Sequence, residues 1–402
     1  MTTAIRTLPG RLLPPEGTEP LAHGPLPATL RLDAVEASGL TGRGGAAFPV
    51  HRKLAAVAAA GGSPVVVANG SEGEPASAKD KTLLARNPQL VLDGLQLAAG
   101  FLGAKAAFLT LEEGTGLTRT LRDAIASRPH DPRPVHLTEV PARFLSGESS
   151  ALAEHLSGRP ARPRHPQPPV REQGVGGAPT LVQNVETLAH LALIARYGPD
   201  WFRTAGTASE PGTMLCTVHT ATAPPQVVET PVGTPLRRLL PLDGASAVLI
   251  GGYHGAWLPA ADAARLNLGA KSLTPYGAAP GAGVLAALPA DRCGLVETAR
   301  VLRYLALQSA GQCGPCLNGL PRIAGAFSQL AHPGPQSTLR QDVTRWSGLV
   351  EGRGACHHPD GTVRLVRSAL TVFAAELDHH ATGHCTASDF TPLLPVPEET
   401  PR

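Results

Sequence analysis

A repeated switch of hydrophobic period decides the fold class of this chain. Pro64-Val-Val-Val-Ala68 is an unbroken apolar run of strand length, and Lys105-Ala-Ala-Phe-Leu-Thr-Leu111 is another. Between them Leu83, Leu84, Leu90, Val91, Leu95 and Leu97 recur at near-helical spacing. Apolar runs separated by a helical pattern belong to strands covered on both faces, so strand, crossover helix and parallel strand are expected in that order. The alternation extends from about Leu30 to Ala205. It predicts a Rossmann-like α/β domain over 30–205, preceded by an irregular Pro- and Gly-rich segment over 1–29.

Beyond Ala205 the pattern changes. Met214-Leu-Cys-Thr-Val-His219 and Gln226-Val-Val-Glu229 read as strands. Thr234-Pro-Leu-Arg-Arg-Leu-Leu240 reads as a short helix with Thr234 as N-cap and Pro235 at the first helical position. A small β-grasp, ubiquitin-like module is expected over 206–288. Four helix-like stretches follow, Gly294 to Ser309, Asn318 to Leu330, Leu339 to Val350 and Thr362 to His380, joined by short connections. Such a series packs as an antiparallel four-helix bundle, placed at 289–385 ahead of a Pro-rich tail at 386–402.

A chain of 402 residues has room for several such units. The formal charge of +3 is small, and no Lys/Arg block forms the basic stripe that a nucleic-acid partner requires. Apolar runs such as Ser246-Ala-Val-Leu-Ile250 are far shorter than the roughly 18 residues of a transmembrane segment. The N-terminal stretch lacks the apolar run of a signal peptide. Six cysteines in so long a chain do not make a disulfide framework, so a reducing, cytoplasmic location is expected.

Two loops carry candidate chemistry. Gly42-Arg-Gly-Gly-Ala-Ala-Phe-Pro49 offers bare backbone N–H groups at Gly42, Gly44 and Gly45, with the Arg43 guanidinium beside them to pair with a phosphate. Taken alone it reads more readily as a Gly-rich surface turn. Asn69-Gly-Ser-Glu-Gly-Glu-Pro75, with Lys79-Asp80 behind it, follows the first buried strand, at the carboxyl edge where α/β sheets bind ligands. Its plain alternative is a solvated acidic loop.

The combination resembles the family of the NADH-oxidising flavoprotein of respiratory complex I, which carries G-R-G-G-A-G-F-P and then N-A-D-E-S-E-P…K-D in this order. The resemblance continues through Phe144-Leu-Ser-Gly-Glu-Ser-Ser-Ala-Leu152, Pro179-Thr-Leu-Val-Gln-Asn-Val-Glu-Thr-Leu188 and Val232-Gly-Thr-Pro-Leu236, and spans about Ser38 to Ala381. It implies FMN, with the phosphate near Gly42, Arg43, Gly44, Gly45 and Lys53. The ribityl chain and ring would lie near Asn69, Glu72, Gly147, Gln183 and Asn184. Glu148, at an apparent helix start, is expected as an anion near the ring. Phe48 and Glu74 remain from the set that holds the nicotinamide of NAD(H).

The departures bear on that dinucleotide. The family has an aspartate at Ser71, a tyrosine at Phe144 and a second glutamate at Ser149. It has a lysine at Pro166, a phenylalanine at Pro169 and an aromatic near Ala56. Losing a charge contact and two aromatic stacks removes on the order of 1–3 kcal/mol each. NADH binding is therefore expected to be weak even where FMN binding is kept.

Gln308-Ser-Ala-Gly-Gln-Cys-Gly-Pro-Cys-Leu-Asn-Gly319 resembles the family's E-S-C-G-x-C-x-P-C-R-x-G, and Gly354-Ala-Cys356 falls near its last cluster ligand. Cys313, Cys316 and Cys356 are thus expected to hold a [4Fe-4S] cluster. The family's first cysteine is Ala310 here. Cys385 is the preferred fourth ligand, with His357, His358 or a non-protein ligand as substitutes. Zinc on these thiols, or a vestigial site, are the competing readings. Cys216 and Cys293 have no partner spacing and read as small apolar core residues.

The expected function is an electron-transfer oxidoreductase passing electrons between FMN and the cluster. NAD(P)H, or a ferredoxin or other redox protein, would be the partner, and a membrane-bound redox partner is compatible. The alternative is a non-catalytic docking component with decayed redox sites.

Overall fold

The computed structural model describes residues 10–14, 23–165, 168–336 and 338–397. Pro166, most of the N-terminal segment and the end of the tail lie outside them. In the first unit α1 (Leu32–Ser38) and α2 (Val50–Ala59) precede β1 (Val65–Gly70). Then α3 (Lys79–Arg86) and α4 (Pro88–Leu102) lead to β2 (Ala106–Glu112), and α5 (Thr118–Ala126) to β3 (Val135–Val140). Next come α6 (Ser149–Leu156), β4 (Thr180–Asn184) and α7 (Val185–Arg203). The strands run in the order β3-β2-β1-β4, every pair parallel.

The expected single crossover helix is two. Pro88 has no N–H to continue α3, so the chain breaks at Asn87 and restarts with the proline in the first turn of α4. Helix α4 then packs on α7 at Gly94, where an added Cβ would sit 1.9 Å from the Leu188 carbonyl oxygen. Only glycine permits that approach.

The second unit contains β5 (Thr213–His219), β6 (Gln226–Pro231), β7 (Ala245–Ile250), β8 (Ala256–Pro259), the one-turn helices α8 (Ala260–Ala263) and α9 (Ala270–Leu273), and β9 (Val284–Pro289). Its sheet order is β6-β5-β9-β7-β8, with β5 and β9 parallel at the centre and the other pairs antiparallel. The helix expected at 234–240 is only a 3-10 turn, Leu236–Arg238. Thr234 does not cap it. Its hydroxyl donates to the Pro231 carbonyl at 2.8 Å and accepts from Thr230 at 2.8 Å, closing the end of β6 instead.

The third unit is helical: α10 (Gly294–Leu307), a π-helical turn at Pro315–Gly319, α11 (Leu320–Leu330), α12 (Leu339–Val350), α13 (His358–Val372) and α14 (Ala374–Ala381). The expected fourth helix starts earlier, at His358, and breaks at Phe373, whose φ of −102° and ψ of 28° leave the helical range. Leu302, Phe327 and Val363 share one apolar core with Ala247, Leu249 and Trp257 of the second sheet. Leu215 of β5 joins the core of the first unit. The three units are therefore continuous through buried apolar contacts. Among the described residues no helix is long and apolar enough to cross a membrane.

Candidate functional site

Strands β1 and β4 are neighbours in register, with Asn69 opposite Asn184, and both end at the same edge of the sheet. The chain turns there into the candidate loops. A cavity of about 440 Å³ opens at this edge, lined by Gly44, Asn69, Glu72, Glu74, Gly147, Glu148 and Asn184. Its opposite wall is made by His254, Ala355, Cys356, His357 and His358. The volume lies in the roughly 300–1,000 Å³ range of small-molecule sites.

Each polar lining group is fixed by the backbone. Asn69 donates to the Gly147 carbonyl at 2.8 Å and accepts from the Ser71 N–H at 3.1 Å. Glu148 is the N-cap of α6, its carboxylate accepting from the Ser150 and Ala151 N–H groups at 2.9 and 3.0 Å. That arrangement places the Glu148 carboxyl group at a helix N-terminus. Asn184 caps α7 in the same way, and its Nδ2 donates to Asp80 at 2.8 Å. Glu72 is buried and accepts from the Asp80 and Lys81 N–H groups at the start of α3, and burial raises its pKa against those bonds.

Glu74 accepts from the Tyr253 N–H at 2.9 Å, and burial pushes its carboxyl up to about 8. It is thus a carboxylic acid over much of the neutral range. Beneath the cavity Lys79 lies between Asp80 at 2.7 Å and Glu186 at 2.8 Å, all three buried. Glu186 also accepts from the Leu215 N–H at 2.9 Å, which ties α7 to β5. Burial acts against the Lys79 charge, but the carboxylates prevail and its pKa is raised. In the sequence Lys79 and Glu186 stand out only as members of two separate motifs, with nothing to mark them as a pair.

The expected phosphate grip is arranged differently. The Arg43 guanidinium is turned into the second unit, donating to the carbonyls of Thr213 and Pro211, each at 3.2 Å, and to the Thr41 hydroxyl at 3.1 Å. Lys53 donates to the Val182 carbonyl, and burial pushes its ammonium down to about 8. Gly42 closes its loop by donating to the Phe48 carbonyl at 2.9 Å, and Gly45 lies against Gly281. Gln183 is buried and its side-chain oxygen has no partner among the described residues. Arg43, Lys53, Gln183 and the 52% exposed Phe48 all lie outside the cavity lining. A sequence motif reports that a loop is Gly-rich, not which way its one cation turns.

The thiols form the far side. Burial pushes Cys316 up to about 12, with the neighbouring Cys313 and then Cys356 adding to it. Burial also raises Cys356, with Glu148 and Cys313 contributing. The three thiols are therefore neighbours, and Cys356 faces the cavity. Cys385 is not with them. It lies beside Cys293, which precedes α10, whereas Cys313 follows α10, a 14-residue helix of about 21 Å.

His358 is committed as well. Its Nε2 lies 2.8 Å from the Leu305 carbonyl, which only accepts, so Nε2 carries the proton and Nδ1 accepts from His254 Nε2 at 3.0 Å. Burial pushes His358 down to about 4 and holds His254 well below the ordinary imidazole range, so both are neutral. The Phe144 ring packs edge-on against His254 at 4.7 Å between centroids. His357 is exposed beside Cys356, its Nδ1 3.4 Å from Asp360.

The lining suits a flavin ring and ribityl chain. It offers an amide at Asn69, carboxyl groups at Glu72, Glu74 and Glu148, and at Gly44 a backbone so close that an added Cβ would lie 3.2 Å from Asn184 Cβ. Arg43 and Lys53 are turned to carbonyl oxygens outside this lining. The thiols suit three corners of an iron–sulfur cluster.

The Nuo51 FMN-binding domain matches residues 35–193, and the NADH-ubiquinone oxidoreductase-F iron–sulfur binding region matches residues 297–380. The chain is 30% identical over 372 residues to an F-type component of the NADH-quinone oxidoreductase of Rhizobium meliloti, covering 87% of this chain and 88% of that one. It is 28% identical to the corresponding F component of Streptomyces coelicolor, covering 87% and 82%. Among solved structures it superposes on an NAD+-reducing [NiFe]-hydrogenase in the H2-reduced state with a TM-score of 0.80 and 29% identity. That match covers 88% of this chain but only 63% of the hydrogenase chain, so this protein spans less than two thirds of that neighbour. With one motif set, one parallel-sheet cavity and one cysteine region all in the same order, this chain belongs to the family of NADH-quinone oxidoreductase F components.

Proposed function

We propose that this chain is an electron-transfer component whose cavity holds the FMN ring against the thiol-bound cluster, taking electrons from NAD(P)H or from a protein redox partner. One observation carries the reading: Cys356 lines the same cavity as Asn69, Glu74 and Glu148. FMN supplies the conversion between electron pairs and single electrons, so the protein need only hold two centres close together. Asn69 orients polar ring edges, the Glu148 carboxylate sets the local field, and Glu74 holds a proton at its carboxyl. The neutral His254–His358 pair and Phe144 close the wall and exclude water.

For the cluster, Cys313, Cys316 and Cys356 supply three ligands, and the fourth corner takes a ligand from outside the protein. Other redox proteins are the partners this reading calls for. Purified protein should carry flavin bands and a broad cluster shoulder in its visible spectrum, and Gly44→Val should lose flavin at least about tenfold while staying folded. Stoichiometric flavin in Gly44→Val would place the site elsewhere. The substitution of Ala310 for a thiolate favours one second reading, a docking component without redox centres. A colourless protein is its signature.

NADH is expected to bleach the flavin slowly, with an apparent KM raised by at least about tenfold over a relative that keeps the lysine and aromatic contacts. Ser149 replaces a carboxylate at the start of α6, and Pro169 offers no aromatic face. Anaerobic stopped-flow mixing with NADH and with a reduced ferredoxin reads this out. Fast bleaching that saturates at micromolar NADH would contradict it.

A further inference from the structure

Four metal-ligating side chains converge at the end of the helical unit opposite the Cys313 thiol group. They are Cys293, at the N-cap of α10, Glu376 and His380, on one face of α14, and Cys385 just beyond it. Their ligand atoms all lie within 4.8 Å of one another. Cys293 Sγ is 3.7 Å from His380 Nε2, which is 3.0 Å from a Glu376 carboxylate oxygen. In tetrahedral zinc sites, with Zn–S near 2.3 Å and Zn–N near 2.0 Å, neighbouring ligand atoms are about 3.3–3.8 Å apart. The four donors need only small shifts to reach that spacing, the wider pairs closing and the Nε2–carboxylate pair opening slightly.

The supporting hydrogen bonds point the same way. His380 is fully buried, and its Nδ1 lies 3.0 Å from the Leu330 carbonyl oxygen. A carbonyl only accepts, so Nδ1 carries a proton and Nε2 is the ring atom that faces the carboxylate and the thiol. A metal ion among these atoms would take Nε2, the carboxylate and the two thiols as ligands together. Glu376 is itself positioned, its oxygens accepting from the Thr386 N–H at 2.9 Å and from the Thr386 hydroxyl. These are the outer contacts that hold metal ligands in place.

We propose that Cys293, Glu376, His380 and Cys385 bind one Zn²⁺ as a closed, structural site separate from the redox centres. Two thiols, one imidazole and one carboxylate form a borderline donor set that suits zinc, and four protein ligands leave no open position for chemistry. Binding converts both thiols to thiolates and releases two protons to solvent. The site ties the segment after α14 back to the start of α10. It does not depend on the FMN reading.

Metal analysis and zinc-edge X-ray absorption on the full-length holoprotein test this. One zinc per chain is expected besides iron, with two sulfur and two nitrogen or oxygen neighbours. In Cys385→Ser and Glu376→Gln, zinc should fall from about one equivalent to below about one fifth of that, with iron and flavin unchanged. Cys313→Ser should keep its zinc. No zinc after growth in zinc-replete medium, or three or four sulfur neighbours lost with Cys313→Ser, would overturn the assignment. Because the wild-type spectrum alone decides the donor set, a variant that fails to fold does not remove the test. A His380 imidazolium paired with Glu376 and no metal is the competing state, and metal analysis separates the two.

Discussion

Glu74 gives the clearest titration. Its carboxyl sits near 8 in the folded chain against an ordinary 4.5, because burial outweighs the N–H bonds it accepts. The folded state therefore holds a proton that the unfolded state has lost between those two values, and stability falls as pH rises through that window. Discounted for the partial exposure of the residue, the effect is on the order of 2 kcal/mol. Glu74→Gln should flatten the pH dependence of the urea midpoint of flavin-free protein between about pH 4.5 and 8. Arg43→Ala is expected to act on stability first. It strips a half-buried charged donor from three oxygens and should cost about 1–3 kcal/mol in denaturant unfolding. The sequence made Arg43 visible through its Gly-rich loop, and Lys53 and Glu74 through the family resemblance. It could not make their directions visible, because whether a cation meets a phosphate or a carbonyl depends on β4 and β5, strands far away in the chain.

At the scale of elements, the apolar runs located β1 and β2 to within a residue or two, since nothing else accounts for Val65 to Val67 or Ala106 to Leu111. Breaks were harder. Pro88 split one expected helix and Phe373 another, and the helix at Thr234 gave way to a hydroxyl bond with Thr230. Local side-chain bonds of that kind compete with helix capping and leave no mark on periodicity. Where capping did form, it is testable. Asn184→Ala removes the α7 cap and the Asp80 contact and should cost about 1–3 kcal/mol. Asn184→Ser should recover the capping share, whereas Asn184→Asp keeps the cap but sets a second carboxylate against Asp80 and stays destabilised at neutral pH. Thermal unfolding at pH 5 and pH 7.5 distinguishes the three.

Across the whole molecule, Lys79 is a hinge pin in electrostatic form, joining α3, α7 and, through Glu186, strand β5. Lys79→Met would leave two buried carboxylates without their cation and should cost about 3–5 kcal/mol. Calorimetry should then show the first two units separating into distinct transitions, where the parent chain unfolds them together. The cavity at the sheet edge has a wall from each of the three units, Asn69 from the first, His254 from the second and Cys356 from the third. No unit owns a complete binding site. On the function proposed above, cofactor loading would be a late event in the life of the chain, one that only a fully assembled molecule could undergo. Because a ligand that binds only the native state stabilises it by mass action, the arrival of flavin would act as a proofreading step, retaining finished copies and leaving incomplete ones exposed to degradation.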